Sequence, residues 1–203
     1  MAAGAPWPPI EFAKRYYLHY PRIGFGHWPP LFYALEAAWM LAFSPSMTSV
    51  MMLMAGFTAL FAVLTGWVVE REFGRTAGIA AGGVLVCLPA VVELSGAVML
   101  DIPAALFAFW AVERWARFLE SGRLRDSAAF GAVASVALLT HGATVFLAAV
   151  PPVSALLQRR PRLFLRPAFW AAAAVVAAIA GPWYAFAPGA RHEFAGIPRS
   201  LGV

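Results

Sequence analysis

Four long apolar runs, separated by short polar segments, organise this chain. Each run is close to the length of about 20 residues with which an α-helix crosses the hydrocarbon core of a bilayer. They cover residues 46–69, 77–100, 102–119 and 168–186. A fifth run, residues 128–157, is interrupted at His141-Gly142 and again at Pro151-Pro152. We expect it to form two short helices that turn at His141, in preference to one tilted helix.

The amino-terminal part of the chain has a different pattern. The short apolar run at residues 31–43 contains Glu36 and is typical of a helix lying at the membrane surface. Residues 1–28 mix aromatic side chains with Lys14, Arg15 and Arg22, a composition that suits the level of the lipid headgroups.

The whole pattern predicts an all-α membrane protein. We expect a polytopic helical bundle of about six transmembrane segments, two of them short, with juxtamembrane helices on the outer face. Residues 1–203 are interpreted as a single membrane domain. Within it, residues 1–45 form the juxtamembrane segment, residues 46–187 the transmembrane bundle, and residues 188–203 the start of an outer loop.

Composition supports the membrane class and excludes others. The chain is 62% hydrophobic and 12% charged, whereas soluble domains have roughly 45–50% apolar and 25% charged residues. The net charge is +5, but the arginines flank apolar runs and do not form one surface, so no nucleic-acid partner is expected. Cys87 is the single cysteine, which excludes an internal disulfide and a multi-cysteine metal site. The excess of Arg, Ala, Gly and Pro indicates a GC-rich, bacterial genome.

The arginines predict how the chain is oriented. Three polar segments between the apolar runs contain most of the arginines, whereas the turn at residues 93–101 contains none. If the arginine-containing segments are cytoplasmic, Asp101 lies on the periplasmic or outer side of the inner (plasma) membrane. The same alternation places Pro29-Pro30 and Gly181-Pro182 on the side of Asp101. The arginines concerned are Arg71, Arg75, Arg114, Arg117, Arg123, Arg125, Arg159, Arg160, Arg162 and Arg166.

Asp101 is the strongest candidate for chemistry. Between residues 77 and 112 the only other charged residue is Glu93, and an ionisable residue in such a stretch is a functional-site hypothesis by default. The alternative is that Asp101 only caps the helix that begins at Ile102-Pro103.

Other candidates share the predicted side of Asp101, and each has an ordinary alternative. His27 could be an interfacial residue, and His141 could satisfy a carbonyl at a helix bend. Trp183 and Tyr184 fit an aromatic belt. At the opposite end, Glu113 and Arg117 are spaced for an i,i+4 ion pair, with Arg114 and Glu120 nearby, and no chemistry is assigned to them.

Four motifs, in this order, resemble the integral-membrane glycosyltransferases of the GT-C type, in particular the protein O-mannosyltransferase and aminoarabinose (lipid A) transferase group. The likeness covers roughly residues 11–184. The motifs are Gly26-His27-Trp28-Pro29-Pro30-Leu31-Phe32-Tyr33, Leu100-Asp101-Ile102-Pro103, Leu139-Thr140-His141-Gly142 and Gly181-Pro182-Trp183-Tyr184.

The resemblance implies a donor, a sugar linked to a polyprenyl phosphate, and an outer-face acceptor that is a protein, a lipid or a glycan. It implies that Asp101 is the base that acts on the acceptor, and that His27 and His141, where lysine is commoner in the family, lie close to the donor phosphate. Four further residues are expected to contribute to substrate binding: Trp28, Glu93, Trp183 and Tyr184. No cofactor is expected, no group of residues has the spacing of metal ligands, and a divalent metal is left open.

Two departures from the family bear on activity. The family has an earlier acidic motif, commonly Asp-Glu, where this chain offers Ala5-Pro6-Trp7, and a long carboxy-terminal part that is absent here. We therefore expect a fragment or a degenerate member. The alternatives are a non-catalytic lipid-binding or assembly protein and, last, a small transporter, for which an internal repeat would be expected.

Overall fold

The computed structural model describes residues 29–185, which contain helices and no β-strand. Residues 29–180 form one compact unit, and the helical residues 181–185 belong to a second unit. Two 3₁₀ helices cover Gly142–Ala149 and Pro161–Leu165. The α-helices are α1 (Leu31–Ala42), α2 (Met47–Phe73), α3 (Arg75–Cys87), α4 (Pro89–Ser95), α5 (Asp101–Ser121), α6 (Leu124–Thr140), α7 (Val150–Leu157) and α8 (Pro167–Ile179).

Helix α2 confirms the helix predicted at residues 46–69 and extends it by about one turn. The side chain of Ser46 accepts a hydrogen bond from the Ser49 N–H at the start of the helix, and Gly74, with φ of 86°, ends it. Among the described residues, α2 is the one unbroken helix long and apolar enough to cross a membrane. Only 28% of its most apolar window is buried, so most of this apolar surface faces outward, as lipid contact requires.

The run at residues 77–100 is not one continuous helix, which corrects the sequence interpretation. Helices α3 and α4 meet at an angle of 61°. The cause is Pro89: the residue before a proline is disfavoured in the helical region, and Leu88 is extended, with ψ of 129°. The bent pair forms either a broken span or a re-entrant loop.

Two further predicted spans differ from the helices observed. Helix α5 covers residues 102–119 as expected, but its 21 residues include five charged ones, Asp101, Glu113, Arg114, Arg117 and Glu120. Helix α8 has 13 residues and is therefore shorter than the run at 168–186. The structure confirms the helical class, and the number of about six spans stays a prediction.

The break at His141-Gly142 is confirmed. Helix α6 ends at Thr140, His141 is extended with φ of −149° and ψ of 123°, and the first 3₁₀ helix begins at Gly142. The second expected interruption, Pro151-Pro152, lies instead in the first turn of α7, where a missing N–H costs nothing.

Helices α5 and α6 form an antiparallel hairpin, because only Gly122 and Arg123 separate them. Gly122 is left-handed, with φ of 64°, and ends α5. The hairpin encloses Trp115, which is 1% exposed and packs on Phe118, Phe130 and Phe169 of α5, α6 and α8. These aromatic contacts hold the three helices together.

Candidate functional site

Asp101 is the first residue of α5 and its side chain is exposed. Leu100 occupies the N-cap position, and no side chain makes a cap hydrogen bond there. Asp101 therefore does not act as the cap of this helix. Among the described residues the carboxylate has no hydrogen-bond or ion-pair partner. Ile102 and Pro103 behind it are buried, so the carboxylate stands at the surface on a fixed helix end.

His141 lies at the same end of the α5–α6 hairpin as Asp101. Helix α5 runs away from Asp101 for 21 residues and α6 returns for 17 residues, or about 32 Å and about 26 Å at 1.5 Å per residue. His141 is partly buried, and its Nδ1 accepts a hydrogen bond of 3.0 Å from the Ala143 N–H. In the neutral ring Nε2 then carries the proton and is the nitrogen that can donate to a phosphate oxygen.

The first turn of α1 also packs at this end. Phe32, 2% exposed, shares a buried cluster with Ile102 and Leu106 of α5. Because Pro29 and Pro30 immediately precede α1, the proline pair is held close to the start of α5. His27 and Trp28 lie outside the described residues.

Glu93 is exposed near the end of α4. Val91 of the same helix belongs to the buried cluster of Ile102, so α4 too lies at the Asp101 end. Trp183 is partly buried and Tyr184 is exposed in the second unit. Their part in a common site with Asp101 stays a prediction.

Tyr33, the last residue of the first motif, also lies at this end, although it is not among the site residues predicted from the sequence. Partial burial raises the pKa of its phenol above the ordinary value, and the nearby Glu36 carboxylate raises it further. The hydroxyl therefore keeps its proton at neutral pH and can donate a hydrogen bond. Its position three residues after Pro30, next to the buried Phe32 in the first turn of α1, is the signal that could have identified it.

An ion cluster occupies the other end of the hairpin. Glu113, whose side chain is 6% exposed, pairs with Arg117, with Arg114 at 3.1 Å and with Arg71 of α2 at 3.3 Å. This confirms the expected Glu113–Arg117 pair and adds a partner from a distant helix. Trp67 lies beneath Arg71 and Arg117, whose guanidinium carbons are 5.2 and 4.8 Å from the ring centroid.

The described residues contain no group of three His, Cys, Asp or Glu side chains placed to hold a metal ion. The side chains at the Asp101 end that can donate or accept protons include the carboxylates of Asp101 and Glu93, the imidazole of His141 and the phenol of Tyr33.

Comparison with known protein families identifies the family of this chain. The model of the dolichyl-phosphate-mannose-protein mannosyltransferase family matches residues 27–186. The chain belongs to this family. The GT-C resemblance inferred from the four motifs is confirmed, and the match runs from the His27 motif to beyond Tyr184. No curated protein and no solved structure matches the chain.

Proposed function

We propose that the chain transfers a sugar from a polyprenyl-phosphate donor to an acceptor on the outer, periplasmic face of the bacterial inner membrane. The observation that carries the proposal is the exposed Asp101 carboxylate, at the hairpin end where His141 also lies, in a chain of this family. The arginine-poor turn before Asp101 supports the outer side.

The chemistry needs a base and a way to stabilise the leaving phosphate. Asp101 accepts the proton of the acceptor hydroxyl as that oxygen bonds to the anomeric carbon of the sugar. The bond from this carbon to the phosphate oxygen breaks, and the electron pair leaves with the polyprenyl phosphate. His141, through Nε2, and His27 donate hydrogen bonds to that phosphate. We assign sugar and acceptor binding to Glu93, Trp28, Trp183 and Tyr184.

The test uses membranes from cells that express the chain, supplied with radiolabelled mannosyl polyprenyl phosphate. We expect label to pass to an acceptor, and Asp101→Asn to lower the rate by a factor of about 10²–10⁴, the usual contribution of a general base. Donor binding should persist in that variant. Glu72→Gln, at the other end of the bundle, is the matched control and should transfer normally.

Two results would overturn the proposal. An Asp101→Asn variant that transfers sugar at the wild-type rate would remove Asp101 from the chemistry. A wild-type chain that binds the donor without transferring its sugar would favour the second candidate, a non-catalytic lipid-binding member of the family.

A further inference from the structure

A strongly basic cavity lies at the end of α5 opposite Asp101. It has a volume of about 630 Å³ and is formed between the α5–α6 turn and the segment that joins α7 to α8. Its single acidic residue is Glu120. Its arginines are Arg159, Arg160, Arg162 and Arg166.

Two of these arginines lie at the carboxy-terminal end of α5. Arg160 donates from Nη1 to the Leu119 carbonyl at 3.1 Å, and a Cβ placed on Gly122 would lie 3.0 Å from Nη1 of Arg166. Both guanidinium groups therefore lie against the negative end of the helix dipole. A guanidinium has five N–H donors, so one bond from Arg160 leaves most of the donor capacity of the cavity for another anion.

Arg159 is held in a conformation that usually selects glycine. Its φ is 53°, in the left-handed region that is unfavourable for a residue with a Cβ. It follows the end of α7, where Arg159 N–H bonds to Leu156 O and Arg160 N–H to Ala155 O, a type of helix end at which glycine is common. A strained arginine that lines a basic cavity indicates a use for its charge.

A second cavity has a volume of about 380 Å³ and is lined almost wholly by apolar side chains. The 3₁₀ helix Pro161–Leu165 contributes to both cavities, because Leu163 lines the basic one and Phe164 the apolar one. From these neighbouring residues we infer that the two cavities adjoin at this helix. From there the apolar cavity follows Phe130, Ala134 and Leu138 along one face of α6. The part of α6 from Phe130 to Leu138 spans about 12 Å, which is the length of the cavity along this helix. Its other wall is α8, with Phe169, Trp170, Ala173 and Val176 among the lining residues.

We propose that these two cavities hold one anionic phospholipid, with its phosphate headgroup among the arginines and an acyl chain in the apolar cavity. Charge complementarity selects an anionic headgroup, since four arginines face a single acid. The adjoining apolar cavity selects a ligand with a hydrocarbon chain. The headgroup part of the site lies about 32 Å of helix away from Asp101, whereas the apolar part extends along α6 to Leu138, three residues before His141. The proposal does not rest on the proposed transfer reaction, because the arginines and the apolar lining are sufficient to argue lipid binding.

The test measures lipid binding to the purified full chain by native mass spectrometry and by thermal unfolding in nanodiscs. We expect phosphatidylglycerol to be retained and to raise the unfolding midpoint relative to phosphatidylcholine. Arg162→Gln/Arg166→Gln should weaken phosphatidylglycerol binding by about tenfold or more. Arg75→Gln/Arg125→Gln is the control, since it removes the same charge at the same end, outside the cavity, and should bind normally.

Variants of Arg159 distinguish a role of this residue in lipid binding from a purely structural one. Arg159→Gly removes the charge and the strain together, so it should weaken lipid binding while leaving the midpoint in phosphatidylcholine equal to or above that of the wild type. Arg159→Ala should weaken binding without that gain. Ala173→Phe, which fills the apolar cavity, should displace the lipid, whereas Ala174→Phe on the adjacent exposed position should not.

Three results would overturn the proposal. The first is equal retention of phosphatidylglycerol and phosphatidylcholine. The second is the same stabilisation by inorganic phosphate or glycerol 3-phosphate, which would show an anion site without an acyl-chain site. The third is undiminished lipid binding in both Arg162→Gln/Arg166→Gln and Ala173→Phe.

Discussion

Glu113 of α5 accepts a hydrogen bond of 3.3 Å from Arg71 of α2, joining two helices through residues 42 positions apart in the sequence. The same carboxylate also faces Arg114 and Arg117. A buried carboxylate with several cationic partners is favourable only as long as the set is complete, because each member offsets the desolvation of the others.

Replacing Glu113 should therefore destabilise the α2–α5 contact. Glu113→Gln leaves three arginines without a counter-charge, and we expect the free energy of unfolding to fall by about 1–3 kcal/mol. The arginine side chains are 25–42% exposed, which keeps the cost below that of a fully buried group. Denaturation in detergent measures it. The exposed Glu120→Gln should change stability by less than about 0.5 kcal/mol, and equal effects of the two variants would contradict the role of the cluster.

Close helix packing predicts a second effect, at Gly78. A Cβ there would lie 2.6 Å from the Gly66 carbonyl oxygen and 2.8 Å from Glu70 Cβ, so α2 and α3 approach as closely as small residues permit. Gly78→Ala should cost about 1–3 kcal/mol by forcing the helices apart. Gly83 in the same helix has open space at its Cβ, so Gly83→Ala should stabilise by about 0.5–1 kcal/mol. Thermal unfolding of the two variants distinguishes these signs, and a stable Gly78→Ala would show that the contact is loose.

The buried indole of Trp115 predicts an energetic coupling. Its Nε1 donates to Ser154 Oγ at 2.7 Å, and that hydroxyl donates to the Pro151 carbonyl at 2.9 Å. Ser154→Ala leaves a buried N–H unpaired and should cost about 1–3 kcal/mol. In Trp115→Phe the N–H is already gone, so adding Ser154→Ala should cost about 1 kcal/mol less than it does in the wild type. A double-mutant cycle measures this difference, and strict additivity would mean that the hydrogen bond contributes nothing.

His141 has two separable roles, in the fold and in the site. Its Nδ1 accepts from the Ala143 N–H, so His141→Ala should cost about 1 kcal/mol, whereas His141→Asn and His141→Asp keep a capping oxygen. If the ring also faces the donor phosphate, His141→Asp should bind polyprenyl phosphate at least about tenfold more weakly than His141→Asn, because like charges repel. Binding of both variants that is as tight as in the wild type would remove His141 from the donor site.

The parts of the fold that were predictable are those encoded by neighbouring residues. The apolar run that follows Ser46 predicts α2, and the His141-Gly142 pair predicts the end of α6. The spacing of Glu113 and Arg117 predicts their ion pair, since one turn of helix brings them together.

Other parts of the fold could not be predicted in this way. Some depend on single residues that hardly change the average hydrophobicity, and others depend on tertiary contacts. The bend at Leu88-Pro89 lies inside an uninterrupted apolar run, so hydrophobicity alone extends one helix through it. The partnership of Arg71 with Glu113 requires two helices to meet. At the candidate site, Asp101 was predicted at a helix corner and is found there, whereas its convergence with His27 stays a prediction.

Thiol labelling of position 101 tests the outer-face site most directly. In a Cys87→Ser background, Asp101→Cys and Arg162→Cys place single thiols at opposite ends of the bundle, to be treated with a membrane-impermeant maleimide. We expect position 101 to react when only the outer surface is accessible, and position 162 to react only after the membrane is opened. Labelling of position 101 exclusively from the cytoplasmic side would contradict it.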